Sequence, residues 1–222
     1  MTEEPVDARQ LRTRAALHAA VLELAASGDI DGVTVTALAE RAGVHRSTVY
    51  EHGGSPQGVL QRALAVELDA LREAHLRDVA PAGVAAALRE VTLGVFAHVE
   101  RHAAVYRNLE GSAGTTLHSF LSEHFQASTR LLIAQSRLRI PLDAPDVAPA
   151  LLEEAAARFV ADGVVGLISV WLRGPGLHDP EVALAMLERL LPAWWPPGAA
   201  TAGGVADAAG PAAPDPGPNP LK

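Results

Sequence analysis

Apolar positions along this chain recur at three- and four-residue intervals almost throughout. From Arg9 to about Ala26, Leu17, Ala20, Val21 and Leu24 fall on one helical face, and the turn residues of SGDIDGVT close that helix. Thr34 is placed to cap a short second helix whose Val35, Leu38 and Ala39 turn inward. Gly43 follows as the residue that leaves the helix through a left-handed conformation, which costs glycine little. A third short helix is predicted over 45–51. Ser55 and Pro56 read as the cap and first position of a fourth, because proline lacks only an amide hydrogen that is unpaired there anyway. That helix runs to about Val79.

The same periodicity predicts helices over about 83–101, 103–109, 115–138, 150–173 and 180–191. The proline-punctuated IPLDAPDVAP interrupts the series. No segment alternates apolar and polar residues as a strand would, so the fold class is all-α. From Pro196 onward, 20 of 27 residues are Pro, Gly or Ala without periodicity, which predicts a disordered tail over 196–222.

Composition agrees with closely packed helices. Of 222 residues 49% are hydrophobic and only 4% aromatic, so Ala, Leu and Val must form most of the core. Without cysteine there is neither a disulfide, a thiolate metal site nor a cysteine nucleophile. No apolar run approaches the roughly 18 residues that span a bilayer, and the N-terminus lacks the apolar core of a secretion signal; the expectation is a cytoplasmic protein without a membrane partner. A net charge of −8 argues against nonspecific coating of nucleic acid, since such affinity comes mostly from neutralised phosphates. Residues 8–62 differ: six Arg stand against five acids, a balance of +1.

Two short helices joined through Ala42-Gly43-Val44 and braced by a preceding helix are the layout of a helix-turn-helix, whose second helix enters the major groove. Its outward residues His45, Arg46, Ser47, Thr48 and Tyr50 supply donors for phosphates and base edges, and Arg46 suits bidentate pairing with guanine. The stretch VTVTALAERAGVHRSTVYEHGGSPQGVL resembles the DNA-binding segment of the TetR family of bacterial transcriptional regulators. Thr34, Val35, Leu38, Ala39, Ala42, Gly43, Val44, Thr48, Val49, Tyr50, His52, Ser55 and Leu60 carry the match, and FVADGVVGLISVWLRGPGLHDPEVALAMLERLL is more loosely similar to that family's C-terminal helices.

The resemblance implies a homodimer bound to double-stranded operator DNA, with recognition helices separated by about 34–36 Å. It implies Thr48 and Tyr50 on phosphates, Arg46 and Ser47 near bases, and His52 closing the recognition helix. A small-molecule effector in the C-terminal part would lower operator affinity, making the protein most simply a repressor. The expected organisation is an arm over 1–8, a DNA-binding domain over 9–53 and a regulatory and dimerisation domain over 54–195.

Three departures from the family pattern stand out. Gly53 replaces a usual Phe, Pro56 a usual Lys, and His45 a usual Ser cap. The missing ring removes an apolar anchor of the recognition helix, at about 3 kcal/mol if the site is buried and less if neighbours fill the space. This supports an alternative reading, a binding dimer of the same fold with weakened or lost operator recognition.

Candidate ligand-pocket residues are His98, His102, Tyr106, Arg107, His118 and His124, with Asn108 beside them. His98 and His102 in HVERH have the spacing of a two-ligand metal site, but Glu100 is not in the zinc-protease position; the reading is no metal and no cofactor. Phe159, Gly163, Gly166, Val170, Trp171, Leu187 and Leu190 form a candidate dimer interface. The two glycines weaken their helix by about 1 kcal/mol each but let another helix approach closely. The alternative for that stripe is intrachain core. The sequence contains no nucleophile elbow, P-loop, dinucleotide fingerprint or paired-carboxylate signature, which leaves an enzyme unsupported.

Overall fold

A computed structural model describes residues 8–112, 114–140, 146–174, 179–192 and 194–195, without the side chains of 109–112 and 114–117. Nearly all of the N-terminal arm, the 196–222 tail and much of the proline-punctuated segment lie outside the described residues.

Helix α1 (Ala8–Ser27) buries Leu17, Ala20, Val21 and Ala25 on one stripe. A short 3-10 turn, Ile30–Gly32, follows, with the Asp29 carboxylate accepting from the Asp31 amide. Thr34 caps α2 (Val35–Ala42) by accepting from the Ala37 amide at 3.1 Å. At the other end Gly43 has φ +66°, and the amides of Gly43 and Val44 bond back to Glu40 and Ala39. Helix α3 (Arg46–Gly53) starts at His45, whose side chain makes no capping bond. Ser55 caps α4 (Pro56–Leu76) through the Gly58 amide at 3.1 Å.

A second 3-10 turn, Pro81–Gly83, leads into α5 (Val84–Arg101), then α6 (Ala103–Ser112), α7 (Gly114–Ala134), α8 (Pro149–Arg173) and α9 (Pro180–Leu190). All nine predicted helices are present, and no strand occurs among the described residues. Helix α7 stops short of 138: Ser136 turns to φ +56° and the amides of Arg137 and Leu138 both bond to the Leu132 carbonyl, which folds Leu138 back into the core.

One apolar cluster runs from Leu17, Leu38 and Val49 through Leu64 and Phe96 to Ile168, Trp171 and Leu187. Phe96 and Trp171 meet edge to face at 5.5 Å. Residues 81–101 and α8 are long and apolar enough by composition to span a bilayer, yet Val95, Phe96, Val99, Ala157, Val165 and Ile168 on them are core residues. Because the cluster is continuous, α4 lies against α1 and α3 on one side and α5 on the other. A displacement of α4 would therefore be felt by both ends of the molecule.

Candidate nucleic-acid interface and ligand cavity

The α2–α3 pair separates a buried apolar face from an exposed polar one. Leu38, Ala39 and Val49 are buried, whereas His45, Arg46, Ser47 and Tyr50 are exposed, Tyr50 at 60%. Thr48 and His52 are half-buried, and the Thr34 hydroxyl is committed to its cap. Arg41, by contrast, is held by Glu23, with its Nε 3.0 Å from Oε2. Sequence reasoning did not place His18 among Arg14, Arg62 and His52. Burial foremost, then the field of Arg14 and His52, lowers the His18 pKa below its usual value.

Gly53 closes α3 against α4 by backbone contact. A β-carbon at Gly53 would stand 2.5 Å from the Val59 nitrogen and 2.6 Å from its Cγ2, and one at Gly58 would stand 2.1 Å from the Gly53 carbonyl oxygen. The expected vacancy left by a missing ring is therefore absent: Val59, 1% exposed, already fills the joint. Gly54, at φ +75°, makes the turn into the Ser55 cap, a conformation that suits only glycine well.

Asn108 on α6 reaches the end of α1, where its amide donates to the carbonyls of Ala25 at 2.9 Å, Ala26 at 3.3 Å and Gly28 at 3.4 Å. These carbonyls lie where a helix end leaves acceptors without intrahelical partners, so a residue of α6 completes the end of α1.

An apolar cavity of about 100 Å³ lies among α4, α5, α7, α8 and α9. Leu68, Leu88, Val95, Phe125, Val160 and Trp195 line it, with Arg72, Thr92, His124, Ser128 and Thr129 as its polar groups. Arg72 Nη1 donates to Ser128 Oγ at 2.8 Å, and Nη2 pairs with Asp69 at 2.8 Å. His124, 3.7 Å from Asp69, is held below the usual histidine pKa chiefly by burial, which Asp69 partly opposes.

Of the six sequence-selected pocket residues, His124 lines this cavity; His98, His102 and Tyr106 assemble elsewhere, with Glu67. His98 and Tyr106 are each 1% exposed, and His98 Nε2 lies 3.0 Å from the Tyr106 hydroxyl. Burial, then the neighbouring His102, pushes the His98 pKa down to about 4, so the ring is neutral. Burial likewise raises that of the Tyr106 phenol. Arg107 donates to the Leu172 carbonyl at 3.5 Å, and His118 is exposed.

The candidate interface residues divide between core and surface. Trp171 and Leu187 are buried, Gly166 is half-buried, and Phe159, Gly163, Val170 and Leu190 are exposed, at 65% for Phe159 and 68% for Leu190. A β-carbon at Gly163 or Gly166 would meet nothing within 4 Å.

No protein-family model and no curated protein sequence matches the chain. Solved structures are similar to it. The dihydroxyacetone kinase operon activator DhaS aligns with a TM-score of 0.54 at 12% identity, over 80% of this chain and 93% of its own. The fatty acid degradation regulator FadR from Bacillus halodurans aligns at 0.53 and 12%, over 84% of this chain and 96% of its own. A tetR-family transcriptional regulator from Streptomyces coelicolor aligns at 0.51 and 21%, over 79% of each chain. With the helix order, the α2–α3 geometry and these alignments in agreement, the chain has the all-helical fold of the TetR-family transcriptional regulators.

Proposed function

We propose that the chain is a ligand-responsive, DNA-binding transcriptional regulator, a cytoplasmic homodimeric repressor released from its operator by a small molecule. The observation that carries this reading is the polar, solvent-facing start of α3, where Arg46 and Ser47 stand clear of the fold while Val49 fixes the helix from behind. Such a helix end presents its first residues to base edges, and neighbouring hydroxyls to phosphates. On this reading His45, Arg46 and Ser47 face bases, and Thr48 and Tyr50 face the backbone. His52 and its basic neighbours lie beyond them, and Thr34 shapes the turn through its cap.

Residues 9–53 form the reading head and 54–195 the regulatory part. The effector would be compact and mainly apolar: a dry cavity somewhat larger than this one holds a molecule the size of benzene. Arg72, His124 and Ser128 would meet its polar edge. Release requires the effector to favour the nonbinding arrangement; a 100-fold loss of operator affinity needs about 2.7 kcal/mol of differential binding. Cavity-lining Leu68 and joint-forming Val59 share α4, which supports that route.

The exposed Phe159, Val170 and Leu190 with the open glycines support association of α8 and α9 of two copies. An electrophoretic shift on DNA from the gene's own promoter region, repeated over a salt series, tests the proposal. A specific complex that weakens with salt is expected. A folded dimer giving no specific complex at low salt overturns it, and favours a binding dimer that has lost operator recognition. The near-neutral charge of residues 8–62 and the Arg41–Glu23 pair support that second reading.

A further inference from the structure

Glu67, His98 and His102 bring three donor atoms within 4.8 Å of one another. The carboxylate Oε2 of Glu67, on α4, stands 3.2 Å from Nδ1 of His98, in the last turn of α5, and 3.0 Å from Nε2 of His102, which caps that helix. Ligands sharing a tetrahedral ion at about 2.0–2.1 Å stand a little over 3 Å apart, so the two carboxylate–imidazole spacings fit one ion as well as they fit hydrogen bonds, while the set as a whole, spread within 4.8 Å, has to close slightly around it. The His98 ring decides between them. Its Nδ1 is fully buried and has no hydrogen-bond partner, although the carboxylate lies close by.

Tyr106 supplies the reason. If His98 Nε2 carries the proton and donates it to the phenol oxygen, Nδ1 holds a lone pair directed at an anionic carboxylate, a repulsive arrangement that a cation between them reverses. A histidine metal ligand commonly donates its second ring nitrogen to a fixed outer partner in this way. We propose that Glu67 Oε2, His98 Nδ1 and His102 Nε2 bind a divalent cation of the zinc class, with Tyr106 orienting His98 as its outer partner.

Two imidazoles and a carboxylate suit zinc, cobalt or nickel better than calcium or magnesium, which prefer all-oxygen surroundings. Three protein ligands leave a fourth position for water. Glu67 and His102 are 34% and 15% exposed, so the ion has a path from solvent. Arg101, 3.9 Å from Glu67 Oε2 and 67% exposed, has solvent to move into when a cation takes the carboxylate. An ion here would fasten α4 to α5, independently of whether the protein binds DNA.

Co²⁺ titration of the chelator-stripped full-length chain, followed by visible absorption and metal analysis, tests this. One ion per chain is expected, with the intense ligand-field bands of a four- or five-coordinate site that Zn²⁺ bleaches. Glu67→Gln and His102→Asn each weaken binding by about 100-fold, and Tyr106→Phe by about 10-fold. His102 and Glu67 are chosen because neither is core; circular dichroism confirms that each variant is folded. His118→Asn and His124→Asn leave the spectrum unchanged. The proposal is overturned if no saturable band forms, if the spectrum stays that of hydrated Co²⁺, or if folded Glu67→Gln and His102→Asn proteins bind as the parent does.

Discussion

The backbone nitrogen of Val59 lies 2.5 Å from the point a β-carbon on Gly53 would occupy. Helix α3 is therefore joined to α4 through main-chain contact, with the valine side chain sealed behind it. Gly53→Ala forces the two helices apart and is expected to cost about 1–3 kcal/mol, the usual range for overpacking. Urea denaturation measures it. Introducing the family's residues together, Gly53→Phe with Pro56→Lys, is expected to lower both the unfolding midpoint and operator affinity. A more stable, tighter-binding double variant would show that the joint has room after all.

This joint also marks the limit of what could be read from the chain. Helices, caps and the α2–α3 turn were legible because each rests on local rules: Thr34, Gly43 and Ser55 act through amides within four residues. Whether the space at Gly53 is empty or filled is not legible locally, because it depends on where Val59 arrives from the next helix. Glu67 escaped notice for the same reason, lying 31 positions before His98 and on another helix. His98 and His102 are recognisable as a pair by their four-residue spacing, but that spacing says nothing about which cavity they face. The cavity's lining comes from five helices without a shared motif.

Arg46 is exposed at the first turn of α3 and has no carboxylate partner among the described residues. Arg46→Ala is expected to cost about 1–3 kcal/mol of binding and to relax sequence preference at the base it reads. Tyr50→Phe, if the hydroxyl meets a phosphate as proposed, is expected to weaken all sequences alike. Competition binding with single-base operator variants separates the two effects. Equal losses on every sequence for Arg46→Ala would make it a backbone contact.

Asn108 completes the C-terminal end of α1 from α6. In Asn108→Ala the Ala25 carbonyl, on a residue only 1% exposed, loses its side-chain donor, at a cost of about 1–3 kcal/mol if water cannot replace it. Hydrogen exchange should then rise at the last turn of α1, with little change in α8. Protection lost uniformly would mean that Asn108 supports the whole fold and not one link in it.

The neutral, buried His98 makes stability depend on pH. Its native pKa of about 4 lies below the unfolded value of 6.5, so between them the unfolded chain binds a proton that the native chain refuses. The contribution is fully present above pH 6.5 and is lost as pH falls towards 4. For metal-free protein this amounts to about 3 kcal/mol at most. Urea midpoints measured across that interval should fall with pH, and His98→Asn should flatten the slope. An unchanged slope in the variant would assign it to carboxylates or to His18 and His124, which are also depressed by burial.

Gly163 offers the sharpest test of the α8 surface. Nothing lies within 4 Å of a β-carbon built there, so Gly163→Leu fits the isolated subunit and replaces a poor helix former with a good one. If the stripe of Phe159, Gly163 and Val170 faces only solvent, the variant gains up to about 1 kcal/mol and its mass in solution does not change. If a second copy packs there, the same side chain fills the space the partner helix needs. Sedimentation should then show a concentration-dependent shift to monomer, with helical content retained. Operator affinity should fall with it, because a single reading head holds only half of a two-part site. A dimer left intact by Gly163→Leu would move the interface to another surface.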